Sequence, residues 1–289
     1  MAFEEHRTRL FSLAYRMLGS AADAEDVVQA TWERFAAVDD VRDEAALLTT
    51  IATRLSLDEL RSARRRREAY VGPWLPEPVM SAELGPLETV AQRESVALGA
   101  LLLLERLSPA ERAVCVLRDA FDYDYAGIAS VLERTESGCR QLHRRARQRL
   151  AAGEARFDVA AAEHLALTER LFMAAALGDV AGLEELLAAD VELISDGGGQ
   201  VSAGRRPVLG ARKVAAFLVG VSRKLEPGDE VLTAELNGVP SLLVLRDGAV
   251  TSVAQVVSSG GRVQQLLIVQ APDKLARLSR PGALSRQEG

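Results

Sequence analysis

The segment RTESGCRQLHRRARQRL, residues 134–150, holds the densest concentration of potential chemistry in the chain. On a helix, Arg140 and Arg144 share one face, four residues apart, and Ser137 and Gln141 share the adjoining stripe. Arginine and glutamine are the side chains whose donors and acceptors match guanine and adenine edges in the major groove. Arg145, Arg147 and Arg149 lie elsewhere around the helix, where a guanidinium suits phosphate better than a base. A second basic run, Arg61 with Arg64, Arg65, Arg66 and Arg67, is weaker evidence by itself, because cations favour the C-terminal end of any helix. An acidic group, Asp23, Glu25 and Asp26, stands well apart from both. Cys115 and Cys139 form no C-x-x-C pair, and His6, His143 and His164 are scattered, so neither a metal nor a cofactor is expected.

Helices must position these groups. Leu10, Leu13, Ala14 and Met17 recur at helical spacing within residues 3–18. Ser20, three before Asp23, opens a second helix with Val28, Trp32 and Phe35 on its apolar face. A third runs from Glu44 to Arg67 around Leu47, Leu48, Ile51, Leu55 and Leu60. Four prolines between Tyr70 and Pro86 forbid regular helix there, and this linker unusually carries Trp74 and Leu75. In the next helical stretch Ser108-Pro109-Ala110-Glu111 places serine at the N-cap, proline at N1 and glutamate at N3. Asp124 and Thr135 cap two further helices separated by Glu133-Arg134, which is the helix-turn-helix pattern. Beyond Arg156 a helical stretch, 160–188, precedes β-type runs at 191–194, 231–236, 242–245, 250–257 and 263–269, with a helix near 211–224. That order predicts an α+β domain with an antiparallel sheet. The expected organisation is two all-α domains, 1–69 and 91–155, joined by a linker at 70–90, then an α+β domain at 160–280 and a disordered tail at 281–289.

The formal charge of −6 argues against nucleic-acid binding until its distribution is considered. No acid interrupts the chain between Glu136 and Glu154, so basic footprints sit on an acidic body. The charged N-terminus lacks a signal-peptide core and no apolar run matches a bilayer, so a cytoplasmic protein without membrane contact is expected.

At these residues the chain resembles the extracytoplasmic-function (ECF) sigma factors, group 4 of the sigma-70 family. DAEDVVQATWERF, residues 23–35, is similar to their polymerase-binding signature in the sigma-2 domain, and residues 108–150 resemble their sigma-4 domain. The resemblance implies binding to the clamp helices of core RNA polymerase through Asp23, Glu25, Asp26, Gln29 and Trp32. It implies −10 promoter recognition along the third helix, through Arg54, Asp58, Arg61, Arg64 and Arg65. It implies −35 recognition by Ser137, Arg140, Gln141, Arg144, Arg145 and Arg147. The chain departs from the common pattern at Thr53 and Ser56, where Asn and Ala are frequent, and at Glu133, where Gly is usual.

Residues 160–280 are similar to the SnoaL-like, nuclear-transport-factor-2-like cone that sigma factors of the SigJ type carry as an extension. The motifs are WLPEP at Trp74, Leu75, Pro76, Glu77 and Pro78, DGGG at Asp196, Gly197, Gly198 and Gly199, and PDKL at Pro272, Asp273, Lys274 and Leu275. The resemblance implies a built-in regulator. An apolar Trp74-Leu75 pair in a proline-rich linker should not be left in water, and its simplest burial is against the two later motifs. Such cones also host isomerases, but after His164 the domain holds neither His nor Tyr, so no enzyme is expected. A small-molecule ligand in the cone is the further partner that the fold admits. The rival reading is a ligand-responsive helix-turn-helix regulator that binds DNA without polymerase. The acidic group at 23–26 and the Arg-rich helix before the linker argue against it, because such a regulator needs neither.

Overall fold

The computed structural model describes residues 2–86, 92–93, 95–151, 161–201 and 203–279, with the backbone only at 2–4, 64–65 and 161–162. Contacts divide the chain into two units, one comprising 1–69, 82–96 and 100–154, the other 70–81, 97–99 and 155–289.

The first unit is all helical. It contains α1 (Ala2–Leu18), α2 (Ala21–Phe35), α3 (Glu44–Glu68), most of α4 (Leu98–Leu104), α5 (Pro109–Cys115), α6 (Tyr125–Leu132) and α7 (Glu136–Ala151). The caps form as their residue types dictate. The Ser20 hydroxyl accepts from Asp23 N at 3.2 Å, and Ser108 and Glu111 close a full capping box. Asp124 accepts from Gly127 N at 2.7 Å. Leu10, Phe11, Leu13, Tyr15, Met17, Val28 and Leu48 are buried where the first three helices meet. Trp32, read as core from its spacing, is 42% exposed and leans on Phe35, so α2 buries Ala24, Val27, Val28 and Thr31 instead. A π-helical turn at Val116–Ala120 follows α5 directly. Glu133, between α6 and α7, takes the left-handed conformation that glycine usually fills, with φ 52°.

The second unit is a six-stranded sheet backed by helices. Its elements are α8 (Ala161–Leu177), α9 (Val180–Leu186), β1 (Leu187–Asp196), β2 (Val208–Leu209), α10 (Ala211–Ser222), β3 (Glu230–Leu236), β4 (Val239–Arg246), β5 (Ala249–Ser259), β6 (Arg262–Val269) and α11 (Pro272–Leu275). The single helix expected over 160–188 breaks at Gly178, whose φ is 72°, and the last residues join β1. Strand order is β2-β1-β6-β5-β4-β3. Asn237-Gly238, Asp247-Gly248 and Gly260-Gly261 all have positive φ and turn three successive hairpins from β3 to β6, since paired left-handed residues match the twist of the strands they join. The sheet is not wholly antiparallel as expected, because β1 runs parallel to β6. No hairpin constrains that pair, since the chain from 197 to 261 separates the two strands. Register shifts in β1–β6, β4–β5 and β5–β6 add local bend and twist. Leu167, Leu171, Leu183, Leu186, Val214 and Leu218 pack from the helices onto Val256, Leu266 and Ile268 of the sheet.

The proline-rich segment 70–81 is part of this second unit. Val79 exchanges hydrogen bonds with Asn237, donating to Oδ1 at 3.1 Å and accepting from N at 3.0 Å, and Met80 bridges Leu236. Leu98 N donates to the buried Gln255 Oε1 at 3.1 Å. Nothing in the composition of the segment marks Asn237 or Gln255 as partners. They were missed because the pairing joins residues more than 150 positions apart. The tail 281–289 lies outside the described residues.

Candidate functional site

The helix-turn-helix presents the −35 candidates together. Ser137, Arg140, Gln141, Arg144, Arg145 and Arg147 are all exposed on α7, while Cys139 and Ala146 turn inward. Arg140 pairs with Glu136 at 2.5 Å and lies 5.0 Å over the Tyr125 ring. Arg149 is also exposed, and it pairs with Glu111 at 2.6 Å, which ties the end of α7 to the capping box of α5. Burial opposes the Glu111 charge, but hydrogen bonds from Ser108 and the nearby Arg149 and Arg145 hold its carboxyl below the usual range.

On α3, Arg54 and Asp58 are exposed, and Asp58 pairs with Arg61 at 3.0 Å. Arg54 donates to Val131 O at 3.2 Å and pairs with Glu133 at 2.9 Å, so this −10 candidate is held by the helix-turn-helix. The backbone of Arg64 and Arg65 continues α3; their side chains lie outside the described part. Further contacts join the same two helical domains. The buried Arg112 donates to Met17 O at 2.7 Å and pairs with Glu105 at 2.7 Å, and Arg67 contacts Glu105 and Leu18 O.

The polymerase-contact candidates are not equivalent. Asp23 pairs with Arg66 at 3.0 Å and Glu25 with Arg7 at 2.6 Å, both inside the helical unit. Asp26 is exposed, Gln29 reaches Glu33 at 3.3 Å, and Trp32 is exposed one turn on.

The three motifs of the second unit converge on Asp196, which is fully buried at the end of β1. Its Oδ1 accepts from Tyr70 Oη at 2.7 Å and Gly198 N at 3.0 Å. Its Oδ2 accepts from Leu75 N at 2.8 Å and Lys274 Nζ at 2.7 Å. Lys274 also donates to Leu75 O at 2.5 Å and lies 4.4 Å from the Trp74 ring and 4.9 Å from the Tyr70 ring. The ammonium thus has a carboxylate, a carbonyl and two aromatic faces, a set that offsets the desolvation of a buried cation. Leu75 and Pro76 are buried and Trp74 is half-buried. Gly198 and Gly199 have φ of 62° and 72°, and a Cβ on Gly199 would stand 3.0 Å from Val71 Cβ, so the linker lies directly on the glycine turn. Pro272 opens α11, where Leu275 is buried and Asp273 stays exposed. A cleft of about 290 Å³ beside the turn is lined by Val71, Pro73, Ser195, Val201 and Arg205, among others.

Tyr70 precedes the domain whose sequence after His164 holds no tyrosine, and it enters the site from the linker. Burial and the Asp196 carboxylate raise its pKa well above the usual phenol range, so it acts as a neutral donor. Among the described residues, no helix is long and apolar enough to cross a membrane.

Comparisons with known proteins agree with this layout. The model for Sigma-70 region 2 matches residues 2–66, and that for Sigma-70 region 4 matches 99–150. The ECF RNA polymerase sigma factor SigJ of Mycobacterium tuberculosis is 42% identical over 233 residues, covering 78% of this chain and 74% of the relative. SigG of the same species is 33% identical over 51% of this chain and 46% of its own length. The crystal structure of M. tuberculosis SigJ superposes with a TM-score of 0.77 at 33% identity, covering 97% of this chain and 98% of that one.

Proposed function

Since this chain belongs to the ECF RNA polymerase sigma factors and directs promoter-specific transcription initiation, we propose that its second unit governs when it does so, by gripping the segment that joins its two DNA-reading domains. The observation that carries this is the buried Asp196, whose two oxygens take four donors, two of them from residues 70–75.

In this reading Ser137, Arg140, Gln141, Arg144, Arg145 and Arg147 contact the −35 element. Arg54, Asp58, Arg61, Arg64 and Arg65 serve the −10 element. Asp23, Glu25, Asp26, Gln29 and Trp32 face the polymerase clamp helices, with Asp26, Gln29 and Trp32 exposed. Elements named −10 and −35 stand about 25 base pairs apart, or roughly 85 Å at a rise of 3.4 Å each. Domains clasped through Arg54–Glu133 and Arg112–Met17 do not have that span, so the clasped arrangement is a resting form. Opening it requires slack in the linker, and the grip on Tyr70–Leu75 withholds that slack.

We read the second unit as a regulator without catalysis, in a protein that works in the cytoplasm. A buried carboxylate saturated by four donors has no lone pair directed at a substrate, which argues against a general-base role. The cleft beside Gly197–Gly199 is where a small ligand would compete with the linker.

Run-off transcription with core polymerase tests the grip, using full-length protein, a form truncated before Pro272, and Trp74→Ala. Both altered forms should transcribe more than the parent at equal protein level. A folded truncated form no more active than the parent refutes the grip as a brake.

A further inference from the structure

The helix-turn-helix contains a cluster that DNA reading does not account for. Cys115 ends α5, Asp119 lies in the π-helical turn after it, and His143 comes from α7. Their Sγ, carboxylate oxygen and imidazole nitrogen all lie within 4.8 Å of one another. We propose that Cys115, Asp119 and His143 bind one divalent transition-metal ion of the zinc type, which staples the DNA-recognition helix to the helix that precedes the motif.

The donor set selects the class of ion. One sulfur, one nitrogen and one oxygen suit a borderline-soft cation and exclude calcium or magnesium, which take oxygen ligands. Ion–donor lengths of about 2.0–2.3 Å in a tetrahedron put the donors roughly 3.3–3.6 Å apart. His143 Nε2 and Asp119 Oδ1 are already 2.9 Å apart. Closing the set therefore needs side-chain adjustments of about an ångström and no refolding. The turn that carries Asp119 is π-helical, a distortion that recurs at functional sites. Three protein ligands leave a fourth position, and the exposure of Asp119 opens it to water.

The outer shell suits a ligand as well. Tyr125 Oη lies 2.9 Å from His143 Nδ1. When the hydroxyl accepts from Nδ1–H, the lone pair of Nε2 faces the site, which is the orienting partner a metal-bound histidine requires. Arg118 and Arg140 stack 5.2 and 5.0 Å from that Tyr125 ring, and Arg147 reaches Asp119 at 3.9 Å. Two candidate promoter contacts, Arg140 and Arg147, therefore border the site. Charge balances on loading: the Cys115 thiol gives its proton to solvent, and thiolate, carboxylate and neutral imidazole together offset the two positive charges.

Cobalt(II) titrated into the full-length protein, freed of metal by dialysis, tests this. We expect one equivalent to bind with a near-ultraviolet thiolate-to-cobalt band and visible bands of four-coordinate intensity, both displaced by zinc. Cys115→Ala should abolish the ultraviolet band, whereas Cys139→Ala should keep it. Asp119→Asn and His143→Gln alter the accessible side of the site, and each should weaken binding at least ten-fold. Tyr125→Phe should weaken it about 10–100-fold, as loss of an orienting partner does. No thiolate band in the parent, a band that survives Cys115→Ala, or unchanged affinity in both Asp119→Asn and His143→Gln overturns the site.

Discussion

Lys274 and Asp196 offer a direct measure of how strongly the linker is gripped. Lys274→Met leaves the Asp196 carboxylate buried with Tyr70, Leu75 N and Gly198 N but without a countercharge. Asp196→Asn leaves the ammonium with Leu75 O and two aromatic faces. Breaking one side of a buried pair costs about 3–5 kcal/mol, and the two rings return about 0.5–2 to the orphaned ammonium. The single variants should therefore lose about 4 and about 3 kcal/mol, a large part of a stability of about 5–15 yet compatible with folding. The double variant removes both charges and should lose about 2–3 kcal/mol, not the sum of about 7, which leaves a coupling of roughly 4–5. The assay is urea unfolding followed by tryptophan fluorescence in a Trp32→Phe background. Trp74, the other of the two tryptophans, then reports on the linker alone. Losses in the double variant that equal the sum of the singles within about 0.5 kcal/mol would refute the pair as an energetic unit.

Four further outcomes follow from the same geometry. Arg140→Ala or Arg144→Ala should cost about 1–3 kcal/mol of preference at a single −35 position, while Arg145→Ala lowers affinity for every sequence; a promoter-variant panel in which all three behave alike removes the base-reading assignment. Asp26→Lys should weaken binding to core polymerase without unfolding the exposed α2 surface, measured by fluorescence titration with circular dichroism as the check. Glu133→Gly removes a left-handed strain of about 1–2 kcal/mol and gives up an exposed ion pair worth about 0.2–1. It should leave thermal stability equal or higher while leaving Arg54 with its bond to Val131 O alone, and a clear fall in Tm contradicts that. Because Glu111 is held below its ordinary pKa, its contribution to stability is present above the unfolded-state value and is lost as pH falls through the folded one. Glu111→Gln should flatten that acid limb in a pH series of melts.

The family, the two helical domains and the caps were legible in the sequence because they are local. Ser108 meets Glu111 three residues on, Asp124 meets Gly127, and the arginine pattern of α7 needs only a helix to share a face. The hairpin turns belong here too, since Asn-Gly, Asp-Gly and Gly-Gly select their backbone conformation within two residues. The three motifs around Trp74, Asp196 and Pro272 could be named from their resemblance, and their mutual burial anticipated, but not their chemistry. Spacing could not decide whether Trp32 faces the core, because one helical period serves a buried stripe and an exposed contact equally well. Only the tertiary structure decided that β1 runs parallel to β6, that Tyr70 supplies the hydroxyl missing from the later domain, and that Arg149 belongs to Glu111. It also brought His143 of α7 to Cys115 and Asp119, which already stand four residues apart. Each of these depends on packing between segments far apart in the chain, where the energy comes from burial and pairing across the fold and leaves no periodic trace in the neighbouring residues.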